Sequence, residues 1–265
     1  MTPAMLLSHA DSATLWPHES TEQSHHDVPS AYQDALAVRA LRVARGEQPV
    51  GFKVGFTNRT IWKRYTVFAP IWGTVWNTTL TRCESEATLE LSGISQPRLE
   101  PEVAFSMLAT PPANASLEEL FSCVEWMAPS FEVVQSHCLD WKFNAAQAVA
   151  DGALHARLLV GKPTPVSRIA RSGEDFDKLL AQTHLRLYRG EDLIDEGTGR
   201  NVLDGPLHAL LHFVHELENC PGAPSLEAGN IVTTGTWTDA WPVRAGETWH
   251  YETGTPFASL RVAFR

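Results

Sequence analysis

The sequence predicts an α+β fold dominated by β-structure. Three observations carry this expectation. Many short segments show alternating or β-branched character, three or four capped helical segments are scattered among them, and the regular strand–helix alternation of a Rossmann fold or TIM barrel is missing. No internal repeat, low-complexity tract or interdomain linker interrupts the 265 residues. We therefore expect a helical lead-in over 1–48 and one continuous β-rich unit over 49–265.

The elements follow in order along the chain. Residues 1–30 are polar, a loose lead-in with room for one short helix. Ser30-Ala31-Tyr32-Gln33 has the capping-box pattern and opens a helix of about 31–45, rich in Ala, Leu and Arg, which Gly46 can end. QPVGFKVGF (48–56) reads as a short strand whose glycines permit close backbone approach. RYTVFAPIWGTVWNTTL (64–80) reads as loop-rich, with Pro70, Gly73 and two tryptophans. RLEPEVAFSML (98–108) is a strand. Ser116-Leu117-Glu118-Glu119 caps a helix expected to run to Met127 and stop before Pro129. SFEVVQSH (130–137) is a strand by its β-branched content, and 148–161 ends in another. A short helix over 173–183 leads into a hairpin over 184–197 that turns near Arg189-Gly190. Asp204 and Pro206 suit the start of a helix over 204–218, and GNIVTTGTW and the C-terminal segment are strands.

Charge narrows the function classes. The chain carries a net charge of −10 and no lysine- or arginine-rich run, which argues against nucleic acid and anionic membrane surfaces as partners. The arginines of RALRVAR (39–45) read as the solvated face of their helix. No window approaches the ~18–20 uncharged apolar residues of a membrane span. The first thirty residues lack the basic and apolar regions of a secretory signal, and the four scattered cysteines form no CxxC pair. A reducing cytoplasm with inert thiols is the expected setting. An acidic protein still binds an anionic metabolite where a lysine, arginine or metal supplies local positive charge.

Several side chains stand out chemically. Glu100 and Glu102 alternate onto one face of their strand with Ala104 and Ser106, while Pro101, Val103, Phe105 and Met107 share the other. Two like charges on one face are either a solvated edge or the oxygen ligands of a hard cation such as Mg²⁺ or Mn²⁺. Glu132, inside the apolar run SFEVVQSH, offers a third carboxylate. Lys53 in GFKVG is either a snorkelling edge residue or a buried functional cation. His208, His212 and His215 share a helix face, which reads as polar packing ahead of a metal site. GTGRNVLDG (197–205) lacks the G-x-G-x-x-G pattern and its βαβ setting, so a dinucleotide site is rejected. No G-x-S-x-G elbow or P-loop occurs, and the adjacent His137 and Cys138 read as structural.

Taken in order, GFKVGFT, Pro70-x-x-Gly73, RLEPEVAF, SFEVVQSH, VADGA, the hairpin with G-x-G, VLDGPLHAL and AGNIVTTGTW resemble the 2-keto-4-pentenoate hydratase family. That family includes the 4-oxalocrotonate decarboxylases and lies within the fumarylacetoacetate hydrolase superfamily. The resemblance spans about residue 30 to the end and implies a β-roll of packed mixed sheets with a helical N-terminal portion. It implies that Glu100, Glu102 and Glu132 bind Mg²⁺ or Mn²⁺, that Lys53 is the active-site lysine, and that Asp151 of VADGA is catalytic, orienting Lys53 or water.

The activity implied is that of a metal-dependent lyase, a hydratase adding water to a 2-hydroxy-2,4-dienoate in aromatic-compound catabolism. The alternatives are a 4-oxalocrotonate-type decarboxylase, a C–C hydrolase on the same scaffold, or an inactive scaffold subunit. A homo-oligomer, with or without a pathway enzyme as partner, is expected. Three departures from the family pattern are visible. Gln135-Ser136-His137 replaces Asp-Ser-Arg, Asn77 and Thr78 stand where an acid is usual after P-x-x-G, and GALHA replaces the run N-A-S-S. Asn77, Thr78, His155 and Thr236 are therefore the candidates for substrate binding.

Overall fold

The computed structural model describes residues 1–17, 27–254 and 257–265, the side chain of Arg64 excepted. Residues 18–26 of the expected lead-in lie outside the described residues. The larger sheet runs β2 (Ile71–Trp76), β1 (Pro49–Gly55), β11 (Ile231–Thr233), β5 (Arg98–Met107), β6 (Val124–Val134), β7 (His155–Val160) and β3 (Leu80–Arg82). Two short strands join it at the side, β12 (Trp241–Pro242) on β5 and β8 (Thr164–Pro165) on β6. Its two end strands, β2 and β3, are consecutive in sequence and joined by the tight turn 77–79, so the sheet curls back on itself.

Curling divides the side chains of each strand between an inside and an outside. Inside sit Val75, Ala104, Ala128, Leu158, Val160 and Ile231, all but sealed from solvent. At Gly51, a Cβ would lie 1.8 Å from the carbonyl oxygen of Ile231, so only glycine fits. Outside, Val103, Phe105, Phe131 and Val133 join the main core. The second sheet, β10 (Asp192–Thr198), β9 (His184–Arg189), β13 (Thr248–Thr253), β14 (Leu260–Phe264) and β4 (Glu86–Leu89), packs on this outer face. Phe131 meets Tyr251 edge-on there, with ring centroids 4.9 Å apart.

Seven α-helices lie among the described residues, more than the three or four expected, because three have six residues or fewer. They are α1 (Pro3–Ser12), α2 (Val28–Ala44), α3 (Trp62–Tyr65), α4 (Leu117–Ser122), α5 (Ala145–Ala150), α6 (Gly173–Gln182) and α7 (Pro206–Glu218). None is long and apolar enough to cross a membrane. The hairpin, the helix over 173–182 and the helix over 206–218 stand where the sequence places them.

Three elements differ from expectation. Helix α2 begins at Val28, where Asp27 Oδ1 accepts the Ser30 N–H at 2.8 Å and Pro29 occupies the first turn, which needs no N–H. Helix α4 forms its capping box as expected but ends at Ser122, because Val124 onward pairs with β5 along eleven residues. Residues 71–76, read as loop, form β2 antiparallel to β1. The glycine that suggested a loop is a packing requirement: a Cβ at Gly73 would lie 2.3 Å from the Gly152 carbonyl oxygen. The arginines of α2 are not simply solvated either, since Arg42 lies over the Trp76 ring at 4.3 Å.

Candidate active site

Strand β5 is a central strand, hydrogen-bonded to β11 on one side and β6 on the other, which removes the solvated-edge reading of Glu100 and Glu102. Alternation turns Glu100, Glu102 and Ala104 to the inside of the curled sheet. The antiparallel register then sets Glu132 directly opposite Glu100 and Ser130 opposite Glu102. Ligand oxygens of Glu100, Glu102 and Glu132 come within 4.8 Å of one another, the one such acidic cluster among the described residues.

Each carboxylate is tied differently. Glu102 Oε2 accepts the Gly235 N–H at 2.9 Å. Glu132 Oε1 accepts from His155 Nδ1 at 2.8 Å, and Oε2 lies 3.3 Å from Lys53 Nζ. Glu102 Oε1 is buried with no hydrogen-bond partner, and Glu100 is partly exposed to an adjoining cavity. Burial pushes the Glu100 carboxyl up to about 7, opposed by Lys53 and reinforced by Glu132. Burial also holds Glu102 well above the usual carboxylate range, with Glu132 and Glu100 adding to it. One lysine thus faces three carboxylates in a nearly dry site, and an oxygen-only donor set with an orphaned buried oxygen fits a hard divalent cation.

Lys53 sits on β1, three per cent exposed, with its ammonium donating to the Ala153 carbonyl at 2.9 Å. Burial alone would lower its pKa, but the Coulombic pull of Glu132, Glu100 and Glu102 outweighs this and raises it. The ammonium borders a cavity of about 200 Å³ with Glu100, Ile71, Val134, Leu154 and Thr236 in its wall. Phe56, Tyr65 and Phe143 form a stack of rings along one side, with centroids 4.7 and 5.5 Å apart.

Not every candidate from the sequence reaches this cavity. Asn77 and Thr78 are exposed on the turn between β2 and β3, where Asn77 Oδ1 accepts the Gln48 N–H at 2.9 Å. They face away because β2 ends at Trp76, and the chain reverses at the far end of the sheet from the cavity. His155 lies behind Glu132: burial lowers its pKa despite that carboxylate, and its Nε2 meets Thr79 Oγ1 at 2.8 Å. A neutral imidazole giving Nδ1–H to Glu132 leaves Nε2 to accept from Thr79, so His155 fixes a carboxylate and does not line the cavity. Asp151 does not touch Lys53. Its Oδ2 accepts the His137 N–H at 2.9 Å, and its Oδ1 lies 2.6 Å from His137 Nδ1. His208 Nδ1 is 2.9 Å from Asp177 Oδ1 on the neighbouring helix α6, in keeping with a packing face.

Thr79, Gly235 and the Ala153 carbonyl escaped the sequence reading. Gly235 alone left a signal: it has φ +98°, and a Cβ there would lie 1.9 Å from Thr57 Oγ1. A backbone donor reaching Glu102 at that point requires glycine.

No protein-family model matches the chain. It is 27% identical over 223 residues to a 2-hydroxyhexa-2,4-dienoate hydratase of Comamonas testosteroni, covering 83% of this chain and 80% of that protein. It is 28% identical over 236 residues to a 4-oxalocrotonate decarboxylase of a Pseudomonas species, covering 86% and 85%. In structure it matches the 4-oxalocrotonate decarboxylase from Pseudomonas putida G7, solved with magnesium and adipate, at a TM-score of 0.87 and 20% identity over 99% of this chain and 95% of that one. The fumarylpyruvate hydrolase from Pseudomonas aeruginosa, solved with Mn²⁺ and pyruvate, matches at 0.61 and 13% identity over 80% and 88%. The curated relatives are hydratases and decarboxylases, and the α+β, sheet-dominated fold expected from the motifs is the fold these solved proteins share.

Proposed function

We propose that this relative of the 2-keto-4-pentenoate hydratases and 4-oxalocrotonate decarboxylases is a divalent-metal-dependent lyase that hydrates a small 2-hydroxy-2,4-dienoate, in the catabolism of aromatic compounds. The observation that carries the reading is the cluster of Glu100, Glu102 and Glu132 beside Lys53, of which Glu100 and Lys53 line the cavity. When bound by the three glutamates, Mg²⁺ or Mn²⁺ supplies a Lewis acid for the neighbouring carboxylate and 2-oxo oxygens of the substrate. Lys53, anchored by Glu132 and the Ala153 carbonyl, has N–H capacity left for an oxygen in the cavity. There it stabilises developing negative charge or passes a proton. Ile71, Val134 and Leu154 keep the surroundings apolar, which strengthens both effects. Thr236 contributes a hydroxyl to the same wall.

Decarboxylation of a 2-oxo-3-enedioate is the second reading. It is favoured by one observation: Asn77 and Thr78, at the place of the usual acid, are exposed and bring no proton-transfer group to the cavity. Metal-stripped and Mg²⁺- or Mn²⁺-loaded protein should be incubated with 2-hydroxypenta-2,4-dienoate and with 2-oxohex-3-enedioate, following absorbance and CO₂. Metal-dependent loss of the dienoate without CO₂ is the expected result. CO₂ from the dioate would establish decarboxylation instead. Inertness toward both, with no metal bound, would leave a scaffold subunit. Assembly into a homo-oligomer belongs to the same proposal, and sedimentation velocity tests it.

A further inference from the structure

Asp151 and His137 are buried together, and their place in the fold gives them a task. Directly after Asp151 the backbone holds three consecutive residues in the left-handed region: Gly152 at φ +63°, Ala153 at +54° and Leu154 at +67°. Two of these carry a Cβ, and such conformations persist only where the surroundings over-determine them. The Ala153 carbonyl at the centre of this turn is the one that accepts from Lys53 Nζ at 2.9 Å.

The restraints on the turn are visible. Leu154 N–H donates to the Asp151 carbonyl at 3.0 Å, and Gln135 N–H donates to the Leu154 carbonyl at 2.8 Å. The Gly152 carbonyl presses so closely on Gly73 that no side chain fits at position 73. The Asp151 carboxylate anchors the start of the turn through both the main-chain N–H and the ring Nδ1 of His137. His137 is itself fully buried and backed by Trp16. The two rings stack at 16° with centroids 6.4 Å apart, and Trp16 N–H donates to the His137 carbonyl at 2.7 Å. The segment after α1 therefore reaches the lysine through one continuous set of contacts.

We propose that Asp151 and His137, backed by Trp16 of the N-terminal segment, are positioning residues that hold the strained 152–154 turn so that the Ala153 carbonyl aims Lys53 at the cavity. The role of Lys53 in turnover rests on the function proposed above. The positioning of its ammonium does not, because it is a contact within the metal-free chain.

The test compares wild type with Asp151→Leu, Asp151→Asn and Trp16→Ala. Circular dichroism establishes folding, and the ammonium resonance of Lys53 in metal-free protein reports its hydrogen bond. A misaimed group near the chemistry costs on the order of 100-fold, so Asp151→Leu should lower kcat by about 100-fold. KM and the Mn²⁺ Kd should stay within about threefold, because the metal ligands are untouched. Asp151→Asn still accepts the main-chain N–H and should recover about tenfold of that loss, while Trp16→Ala should lose about fivefold. In each variant the Lys53 resonance should move in step with the loss. A folded Asp151→Leu protein with wild-type kcat and an unmoved resonance overturns the proposal, as does a kcat loss matched by an equal loss of Mn²⁺ affinity. If Asp151→Leu does not fold, Trp16→Ala decides by the same two readouts. A wild type inert with Mn²⁺ would instead count against the functional reading, and the resonance shifts would still decide the positioning role.

Discussion

Glu132 lies directly across the β5–β6 pairing from Glu100, and its two oxygens are taken by different partners, His155 on one and Lys53 on the other. That arrangement makes Glu132 the hinge of the site, because it belongs at once to the acidic cluster, to the lysine and to the histidine behind.

Glu132→Gln should therefore abolish metal binding while leaving the fold intact. Losing one of the three proposed charged ligands is expected to raise the Mn²⁺ Kd by about 100-fold or more. Isothermal titration and far-ultraviolet circular dichroism check it. Unchanged affinity would remove Glu132 from the metal site.

Lys53→Met should separate binding from turnover. Without the ammonium, the acidic cluster attracts a divalent cation at least as strongly, so the Mn²⁺ Kd should stay level or fall. Turnover of whichever substrate the wild type accepts should drop by about 1,000-fold. A variant that keeps its rate would make Lys53 a structural counter-ion only.

The raised Glu100 and Glu102 carboxyls give a pH dependence with a definite sign. The folded, metal-free protein holds these protons up to about pH 7 at Glu100, whereas an unfolded glutamate releases them near its ordinary value of 4.5. The folded state thus binds more protons across that window, and stability from these groups is lost as pH rises through it. Lys53 stays protonated in both states there and does not oppose the trend. Buried His155, neutral when folded, opposes the trend below its ordinary value of 6.5, so melting curves of chelator-treated protein should show Tm falling from about pH 6.5 to pH 8, with Mn²⁺ restoring more of it at pH 8. A rising metal-free Tm contradicts this assignment.

His155→Ala should weaken the metal without touching the cavity wall. Glu132 Oε1 and Thr79 Oγ1 would both lose a buried partner. Supporting groups of this kind are worth about 10–100-fold in metal affinity. A titration showing no loss would reduce His155 to packing.

Parts of this site were legible in the residues because local chemistry writes them there. Two glutamates separated by one residue must share a strand face, and a lysine between glycines in an apolar run has few places to go except inward. The hairpin turning at Gly190 and the capping box at Ser116 are likewise short-range signals, and both formed. The boundary of α4 was not legible, since residues 124–129 follow the long-range pairing with β5 over the local helix signal. Asn77 and Thr78 were candidates because the resemblance puts an acid after P-x-x-G, but a motif position does not say at which end of a strand the chain reverses.

By itself, the sequence determined the chemistry available: three carboxylates and a lysine in apolar strands, an acidic surface, and an order of motifs that names the relatives. Only the tertiary structure decided their pairing. Curling the large sheet sets Glu132 opposite Glu100, puts His155 behind the cluster, turns Asp151 to His137, and brings the Ala153 carbonyl to Lys53 one hundred residues away. The physical reason is that alternation along a strand is a local rule, whereas register and curvature depend on contacts between strands distant in sequence.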